Sequence, residues 1–404
     1  MTSKQRAYLK SLAMKMDAII QLGKGGLTPE NTKAVDEALA ARELIKISVL
    51  QNCLEDPKEM AQVLAERTRS QVVQVIGKKI VLYREGKKDK KKIILDCDPG
   101  MDDSMAIVMA CKSEALDVLA VTTVNGNYPA EVTCVNALKV LEMIGRTDVP
   151  VGKGMVAPMV RATPKDPFSH GADGQAENFL PEPTTPRSPK HAIDLIIDLV
   201  KANPGEVTLI STGPMSNIAM AMRKEPEIIP MIKEIIAISG MFGLNKYAFA
   251  NCTGDTPQSE WNVFVDPEAA KIVYESGVKL TCLGLDVATH FDVNLTDDDI
   301  AALDASDKPE AKFLRQAIRF VNNRGFEAYC TSIDCMAVAY AIDPSIVETF
   351  EGHVGVETKD GLTLGMTVLD ARHHFVWKQL PVVHIGRKAD HAKFLHLLME
   401  LVLQ

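Results

Sequence analysis

The chain has 404 residues, with 45 basic and 53 acidic side chains for a net charge of −8, 46% hydrophobic residues, 5% aromatic residues and eight cysteines. It is too long for one average domain and too apolar for a disordered chain, so two or three compact units are expected. No stretch approaches the roughly 20 uninterrupted apolar residues that cross a bilayer, and the opening MTSKQRAYLKSLAMKMD holds no apolar run of secretory length. A cytoplasmic protein with no membrane partner is expected. The cysteines contain no C-x-x-C pair and fall mostly in apolar runs, which reads as reduced core thiols rather than a zinc site or disulfide framework.

The net charge is divided. Up to Lys92 there are 19 Lys and Arg against 11 Asp and Glu, a balance of +8 that leaves −16 for the remainder. Opposite signs in two parts of one chain suggest partners of opposite sign. The border falls in REGKKDKKK, Arg84 to Lys92, whose charge and lack of apolar residues read as a linker, placed at residues 86–92.

In chain order, Leu9, Leu12, Ala13 and Met16 recur at helical spacing, and a short strand is expected at Ala18 to Gln21. In LGKGGLTPE, Gly23, Lys24, Gly25 and Gly26 end that strand, and Thr28 with Pro29 marks a helix start. Ile45, Ile47 and Val49 alternate with polar residues as in a half-buried strand. Asp56-Pro57 opens a third helix, and QVVQVI and KIVLYR around Gly77-Lys78 form a strand pair. A G-x-x-G turn between strand and helix lets a nucleic-acid backbone approach, with amides facing the phosphates and Lys24 adding charge. Glycine-rich turns are in most proteins simply turns, but this one lies in a basic unit that lacks a catalytic set. The blocks QRAYLKSLA, QLGKGGLT, ARELIKISVLQN and QVIGKKIVLYR, in that order, resemble the CRM domain, the RNA-splicing and ribosome-maturation module, over residues 1–85. The resemblance implies binding of RNA or a ribosomal precursor through Gly23, Lys24, Gly25 and Gly26.

From Lys92 strands and helices alternate: KIILDCD, AIVMACK, LDVLAVTTV, EVTCVNALKVLEMIG, GEVTLIST, IIPMIKEIIAIS and VKLTCLGLD. This rhythm predicts an α/β fold with a mostly parallel open sheet and flanking helices over residues 93–404, beside the small N-terminal α/β unit. Ligands in such sheets sit at the carboxyl ends of the strands. The first strand ends in Asp96, Asp98, Asp102 and Asp103, a repulsive set unless a cation, protonation or extensive hydrogen bonding compensates. Oxygen ligands suit Ca²⁺ or Mg²⁺. Capping of the next helix accounts for Asp102 or Asp103 but not for all four. An EF-hand is excluded because its twelfth position is Ile107. The Asp-x-Asp opening of haloacid-dehalogenase-like phosphotransferases is not followed by that family's continuation.

DCDPGMDD, with TTVNGN, HGADG, STGPMSNIAMA, SEWNVFVDPEAA, AVAYAIDPS and TLGMTVLD following in order, resembles the nucleoside hydrolases from about Ile93 onward. That family cleaves the N-glycosidic bond of ribonucleosides to ribose and free base, with bound Ca²⁺. The resemblance implies Asp98, Asp103, the Thr212 carbonyl and Asp334 as calcium ligands, and Asp98 also as general base for the attacking water. Asp102 and Asn127 would hold the ribose 2′-OH, and Glu260 and Asn262 the other hydroxyls. Two positions depart from the family pattern: Ile333, where many members have a histidine that protonates the leaving base, and Gly254, where an asparagine reaching the sugar 5′ side is common. His170 is the first candidate to replace the acid, and Asn251 to replace the asparagine. Beyond Asp334 a helix, a hairpin around Lys359-Asp360-Gly361 and a closing amphipathic helix from His391 to Leu403 are expected.

The expected whole is a Ca²⁺-dependent ribonucleoside hydrolase tethered to an RNA-binding module and assembled as a homo-oligomer. A ribosome-assembly factor with a degenerate or altered hydrolase and a metal-dependent phosphohydrolase remain as alternatives.

Overall fold

The computed structural model describes residues 1–85, 90–165, 169–289 and 294–404. The chain divides into two compact units, Met1–Asp89 and Lys90–Gln404.

In the first unit the helix Ser3–Met14 opens with a capping box between Thr2 and Gln5, and it buries Leu9 and Ala13 while Leu12 is exposed. Four strands follow: β1 (Ile20–Leu22), β2 (Leu44–Val49), β3 (Gln71–Ile76) and β4 (Lys79–Tyr83), in the sheet order β1-β2-β4-β3. β1 runs parallel to β2, and the other pairings are antiparallel. The helix Pro29–Arg42 starts at Thr28, whose Oγ1 accepts from Asn31 N at 3.1 Å, and Asp56 caps Pro57–Arg67. Both helices cover one sheet face, burying Val35, Leu39 and Leu64 against Ile45, Ile47, Ile80 and Leu82.

β2 differs from the half-buried strand expected, because the helix Ser3–Met14 covers its second face, packing Leu9 and Ala13 against Leu44, Val73 and Val81. Its polar positions are absorbed locally: Lys46 Nζ donates to the Met16 carbonyl at 2.7 Å, and Ser48 Oγ accepts from Lys79 Nζ at 2.8 Å.

The second unit is built on nine strands: β5 (Lys91–Cys97), β6 (Leu116–Thr123), β7 (Val151–Lys153), β8 (Thr208–Ser211), β9 (Glu234–Ala237), β10 (Leu280–Cys282), β11 (Val347–Val356), β12 (Thr367–Asp370) and β13 (Val382–Ala389). Lys91 and Lys92, read above as the end of the linker, are thus the first residues of β5, pinned by bonds from Lys91 Nζ to the Ala341 carbonyl and from Lys92 Nζ to Glu206. Residues 86–89 of that stretch lie outside the described residues. The sheet order is β12-β11-β13-β10-β9-β8-β5-β6-β7, with β11 running opposite to the other strands. The hairpin is looser than expected: β11 and β12 pair from Val356 opposite Thr367, so residues 357–366 form the connection. Arg161 anchors that connection through the Thr358 carbonyl and Asp360, and Leu362 and Leu364 lie in it rather than in β12.

From β5 the chain steps through β6 to β7 on one side, then returns through β8, β9 and β10 on the other. The strand order reverses between β5 and β8, which opens a crevice at their carboxyl ends. Two apolar layers close the faces, one around the helices Met101–Lys112, Ala130–Met143 and Cys335–Ile342 and the other around Ala192–Ala202, Ser216–Lys224 and Pro267–Tyr274. Among the described residues no helix is long and apolar enough to cross a membrane.

Because the first unit holds its own cores on both sheet faces, residues 1–85 expressed alone are expected to melt cooperatively. Ile45→Ala is expected to cost that fragment roughly 2–5 kcal/mol; a gradual melt followed by circular dichroism would contradict this.

Candidate active site and metal centre

β5 is hydrogen-bonded on both sides and buried from Ile93 to Cys97, so the chain delivers Asp98 to a fixed point at the crevice. The Pro99-Gly100 turn then starts the helix Met101–Lys112, placing Asp102 and Asp103 in its first turn. There the orphan amides and the positive end of the helix dipole favour carboxylates. Asp103 Oδ2 accepts from Gly100 N at 3.1 Å, and its Oδ1 accepts from Thr212 Oγ1 at 2.7 Å. Asp98 Oδ2 accepts from Asn127 N at 2.7 Å, while its Oδ1 is buried with no hydrogen-bond partner. Two glycines make room for this carboxylate: a Cβ on Gly126 would lie 1.9 Å from Oδ2, and one on Gly213 2.7 Å from Oδ1. Asp334, distant in sequence, arrives as the residue before the helix Cys335–Ile342.

Asp102, Asp103 and Asp334 each offer a carboxylate oxygen, and these atoms lie within 4.8 Å of one another. Asp98 adjoins the trio, its backbone N 3.3 Å from Asp103 Oδ1. Burial, then the Asp103 charge, pushes the Asp98 carboxyl well above the ordinary range. Burial, then Asp102 and Asp103, does the same to Asp334, and burial followed by Asp102 takes Asp103 up to about 6. Such a set cannot ionise together without a counter-charge. All donors are hard oxygens and Asp98 Oδ1 is unsatisfied, so the residues fit a divalent cation of the Ca²⁺ or Mg²⁺ type.

Asp96 is not part of this cluster, and hydrogen bonding compensates it instead. Its Oδ1 accepts from Thr122 Oγ1 at 2.6 Å and Asn217 Nδ2 at 2.8 Å, ties that hold β5 to β6 and to the helix Ser216–Lys224. Burial pushes this carboxyl up to about 7.

A cavity of about 300 Å³ opens over the cluster. Asp102, Asn127, His170, Thr212, Glu260, Asn262 and Asp334 line it, together with apolar Ile238, Trp261, Phe320, Phe326 and Ile333. Asp98 and Asp103 are fully buried behind that lining, bonded to Asn127 and Thr212. Glu260 caps the helix Trp261–Val265, accepting from Asn262 N at 2.7 Å, Val263 N at 3.1 Å and Gly240 N at 3.2 Å. Burial nevertheless lifts it to about 7. Asn262 Nδ2 donates to the Thr212 carbonyl at 2.8 Å, and Asn127 Nδ2 to the Asp98 carbonyl at 3.2 Å and Asp103 Oδ2 at 3.3 Å. His170 Nδ1 accepts from Met101 N at 3.2 Å and lies 3.7 Å from Asp102 Oδ1, so its ring proton is assigned to Nε2.

The departure at Gly254 has a steric cause: a Cβ there would sit 2.0 Å from Ser259 Oγ. Asn251 does not take its place, since its Nδ2 is bonded to Thr289 and it is absent from the lining, where Thr253 and Asp255 stand instead. The supporting roles of Asn217, Gly126 and Gly213 were not read from sequence; the motifs STGPMSN and TTVNGN contain them without indicating what they face.

In the first unit, Gly26 has φ +60° and Lys24 and Gly25 are exposed. Glu55 Oε1 accepts from Leu27 N at 3.3 Å and fills the space a Cβ on Gly26 would need. The eight cysteines are free thiols, buried or half-buried.

Comparison with known proteins agrees with this architecture. The family model described as inosine-uridine preferring nucleoside hydrolase matches residues 93–396, and that of the CRS1/YhbY (CRM) domain matches residues 1–84. The pyrimidine-specific ribonucleoside hydrolase RihB of Escherichia coli (strain K12) is 37% identical over 286 residues, covering 70% of this chain and 88% of the relative. Among solved structures, the plant nucleoside hydrolase PpNRh1 superposes with a TM-score of 0.67 at 30% identity over 78% of this chain and 99% of its own. The purine-preferring ribonucleoside hydrolase from Gardnerella vaginalis gives 0.67 at 30% identity over 77% and 98%. The chain therefore belongs to the inosine-uridine preferring nucleoside hydrolase family of N-glycosyl hydrolases and carries a CRM domain ahead of it.

Proposed function

We propose that residues 93–404 hydrolyse the N-glycosidic bond of ribonucleosides with Ca²⁺ as cofactor, and that the first 85 residues bind RNA or a ribosomal precursor. The observation that carries the hydrolase reading is the convergence of Asp98, Asp102, Asp103 and Asp334 at a cavity of about 300 Å³ that apolar Ile238, Trp261, Phe320, Phe326 and Ile333 also line. Asp103, Asp334, Asp98 and the Thr212 carbonyl would hold the cation. Bound there, it would supply Lewis-acid polarisation of water and of ribose hydroxyls.

Asp98 Oδ1, buried without a partner, is the acceptor for the proton of the attacking water. Asp102 and Asn127 face the 2′-OH, and Glu260 and Asn262 the remaining hydroxyls. As the C1′–N bond lengthens, the sugar takes on oxocarbenium character, and the surrounding carboxylates stabilise that positive charge. His170, with its proton on Nε2, is the candidate donor to the departing base. The alternative of an altered or degenerate hydrolase draws on Ile333, which puts an apolar side chain in the cavity lining next to Asp334.

Ribose release measured across a panel of purine and pyrimidine ribonucleosides is expected, with Asp98→Ala lowering kcat by roughly 10²–10⁴-fold and chelation abolishing turnover. No release from any nucleoside would leave the RNA-factor reading in its place, and phosphate release from a nucleotide would favour the phosphohydrolase.

Stability gives a second check. The folded carboxyls hold protons more tightly than the unfolded ones, so the ion-free fold is expected to lose stability as pH rises from about 4 through 6 and above. Ca²⁺ is expected to reverse that loss. Asp334→Asn is expected to raise Tm in chelator and to remove the calcium-dependent rise; an unchanged calcium response by differential scanning calorimetry would remove Asp334 from the ligand set.

For the first unit, the exposed Lys24 and Gly25 support phosphate contact. In the full chain, Lys24→Ala combined with Gly25→Asp is expected to weaken binding to structured RNA about tenfold or more and to flatten its salt dependence. Unchanged affinity in a filter-binding titration would count against the loop.

A further inference from the structure

The chemistry proposed above leaves one requirement to be met. With Ile333 at the position where many family members place an acid, something else must stabilise the electrons that leave with the base. Among the described residues that line the cavity, Arg324 is the one lysine or arginine. It follows the helix Pro309–Asn323 as its C-cap, so the last turn of that helix aims Phe320 and Arg324 toward the same cavity. The guanidinium lies over the Phe320 ring, 5.1 Å from its centroid, and Nη1 donates to the Ser169 carbonyl at 3.3 Å. Stacking on one side and this hydrogen bond on the other orient the fork beside apolar Phe320, Phe326 and Trp261, surfaces suited to a flat base. His170 stands closer to the carboxylates, with Nδ1 engaged by Met101 N–H and 3.7 Å from Asp102.

We propose that Arg324 stabilises the departing base as an anion. The proposal rests on the hydrolase reading above. When the C1′–N1 bond of uridine breaks, its electron pair passes to the base and is delocalised onto O2 and O4. A guanidinium N–H donates to such an oxygen, and the charge on Arg324 meets the charge that develops. Arginine does not give up its proton in this range, so it acts as an electrostatic donor rather than a general acid. The attacking water gives its hydroxyl to C1′ and its proton to Asp98, and the released base anion takes a proton from solvent. Adenine has no carbonyl oxygen for the guanidinium and gains less.

The test compares two leaving groups. In the calcium-loaded full chain, Arg324→Gln is expected to lower kcat/KM for uridine about 10²-fold. The same variant should lower hydrolysis of para-nitrophenyl riboside far less, because nitrophenolate departs without help, and Arg324→Lys should recover part of the uridine activity. Equal losses on both substrates, or no loss on uridine, would overturn the role of Arg324 while leaving the hydrolase reading intact. If the wild-type chain releases neither ribose from uridine nor nitrophenolate, the hydrolase reading fails and this proposal with it.

Discussion

Repulsion among buried carboxylates is the constraint around which the larger unit is arranged. Two unit charges about 4 Å apart at an effective dielectric constant near 20 cost about 4 kcal/mol. Three such pairs, as Asp102, Asp103 and Asp334 would form when ionised, approach the 5–15 kcal/mol that stabilises an ordinary domain. The fold moderates this with the amides at the start of the helix Met101–Lys112, with the Thr212 hydroxyl and with Asn127. Asp98 Oδ1 receives none of these donors. A site that concentrates negative charge and leaves one oxygen unsatisfied is suited to something positive, and the proposed function supplies two such partners, a cation and a sugar carrying developing positive charge.

That concentration requires the strand order to reverse between β5 and β8. Only there can the ends of two parallel strands, the loop after β6 and the start of a helix meet without their side chains filling the gap. The glycines follow from the same geometry. Gly126 and Gly213 lie against Asp98, and Gly100 lies under His170, where a Cβ would come within 2.5 Å of Nδ1. A residue with a side chain at any of these three positions displaces a functional group rather than merely loosening packing.

What could be read from the sequence follows the range of the interactions involved. DCDPGMDD is local: a strand, a Pro-Gly turn and a helix start fix where Asp98, Asp102 and Asp103 go, and the structure places them there. Asp96 lies in the same string, but its partners Thr122 and Asn217 come from other elements and linear density of charge does not reveal them. Asp334, Glu260 and Asn262 were located through family resemblance, since nothing in their local pattern indicates what they face. β2 reads as half-buried because its alternation is real, but the covering helix Ser3–Met14 ends some thirty residues upstream of it. The hairpin is longer than Lys359-Asp360-Gly361, a good local turn signal, indicates, and Arg161, far away in sequence, bonds to the connection at Thr358 and Asp360.

The division of charge also takes on physical content. Part of what makes the second unit acidic by count is not displayed to solvent: Asp96, Asp98, Asp102, Asp103, Asp334 and Glu260 are buried, and several hold their protons above the ordinary carboxyl range. In the basic unit, the glycine loop already holds an oxyanion, because Glu55 occupies the Leu27 amide and covers Gly26. The contact shows that the loop's backbone accommodates a carboxylate at this point. A nucleic-acid phosphate reaching the same amide must replace Glu55, so its gain there is the difference between two anions and not the full value of a new contact. The exposed Lys24 then matters more than the amides, since its charge attracts a phosphate without first giving up an internal bond.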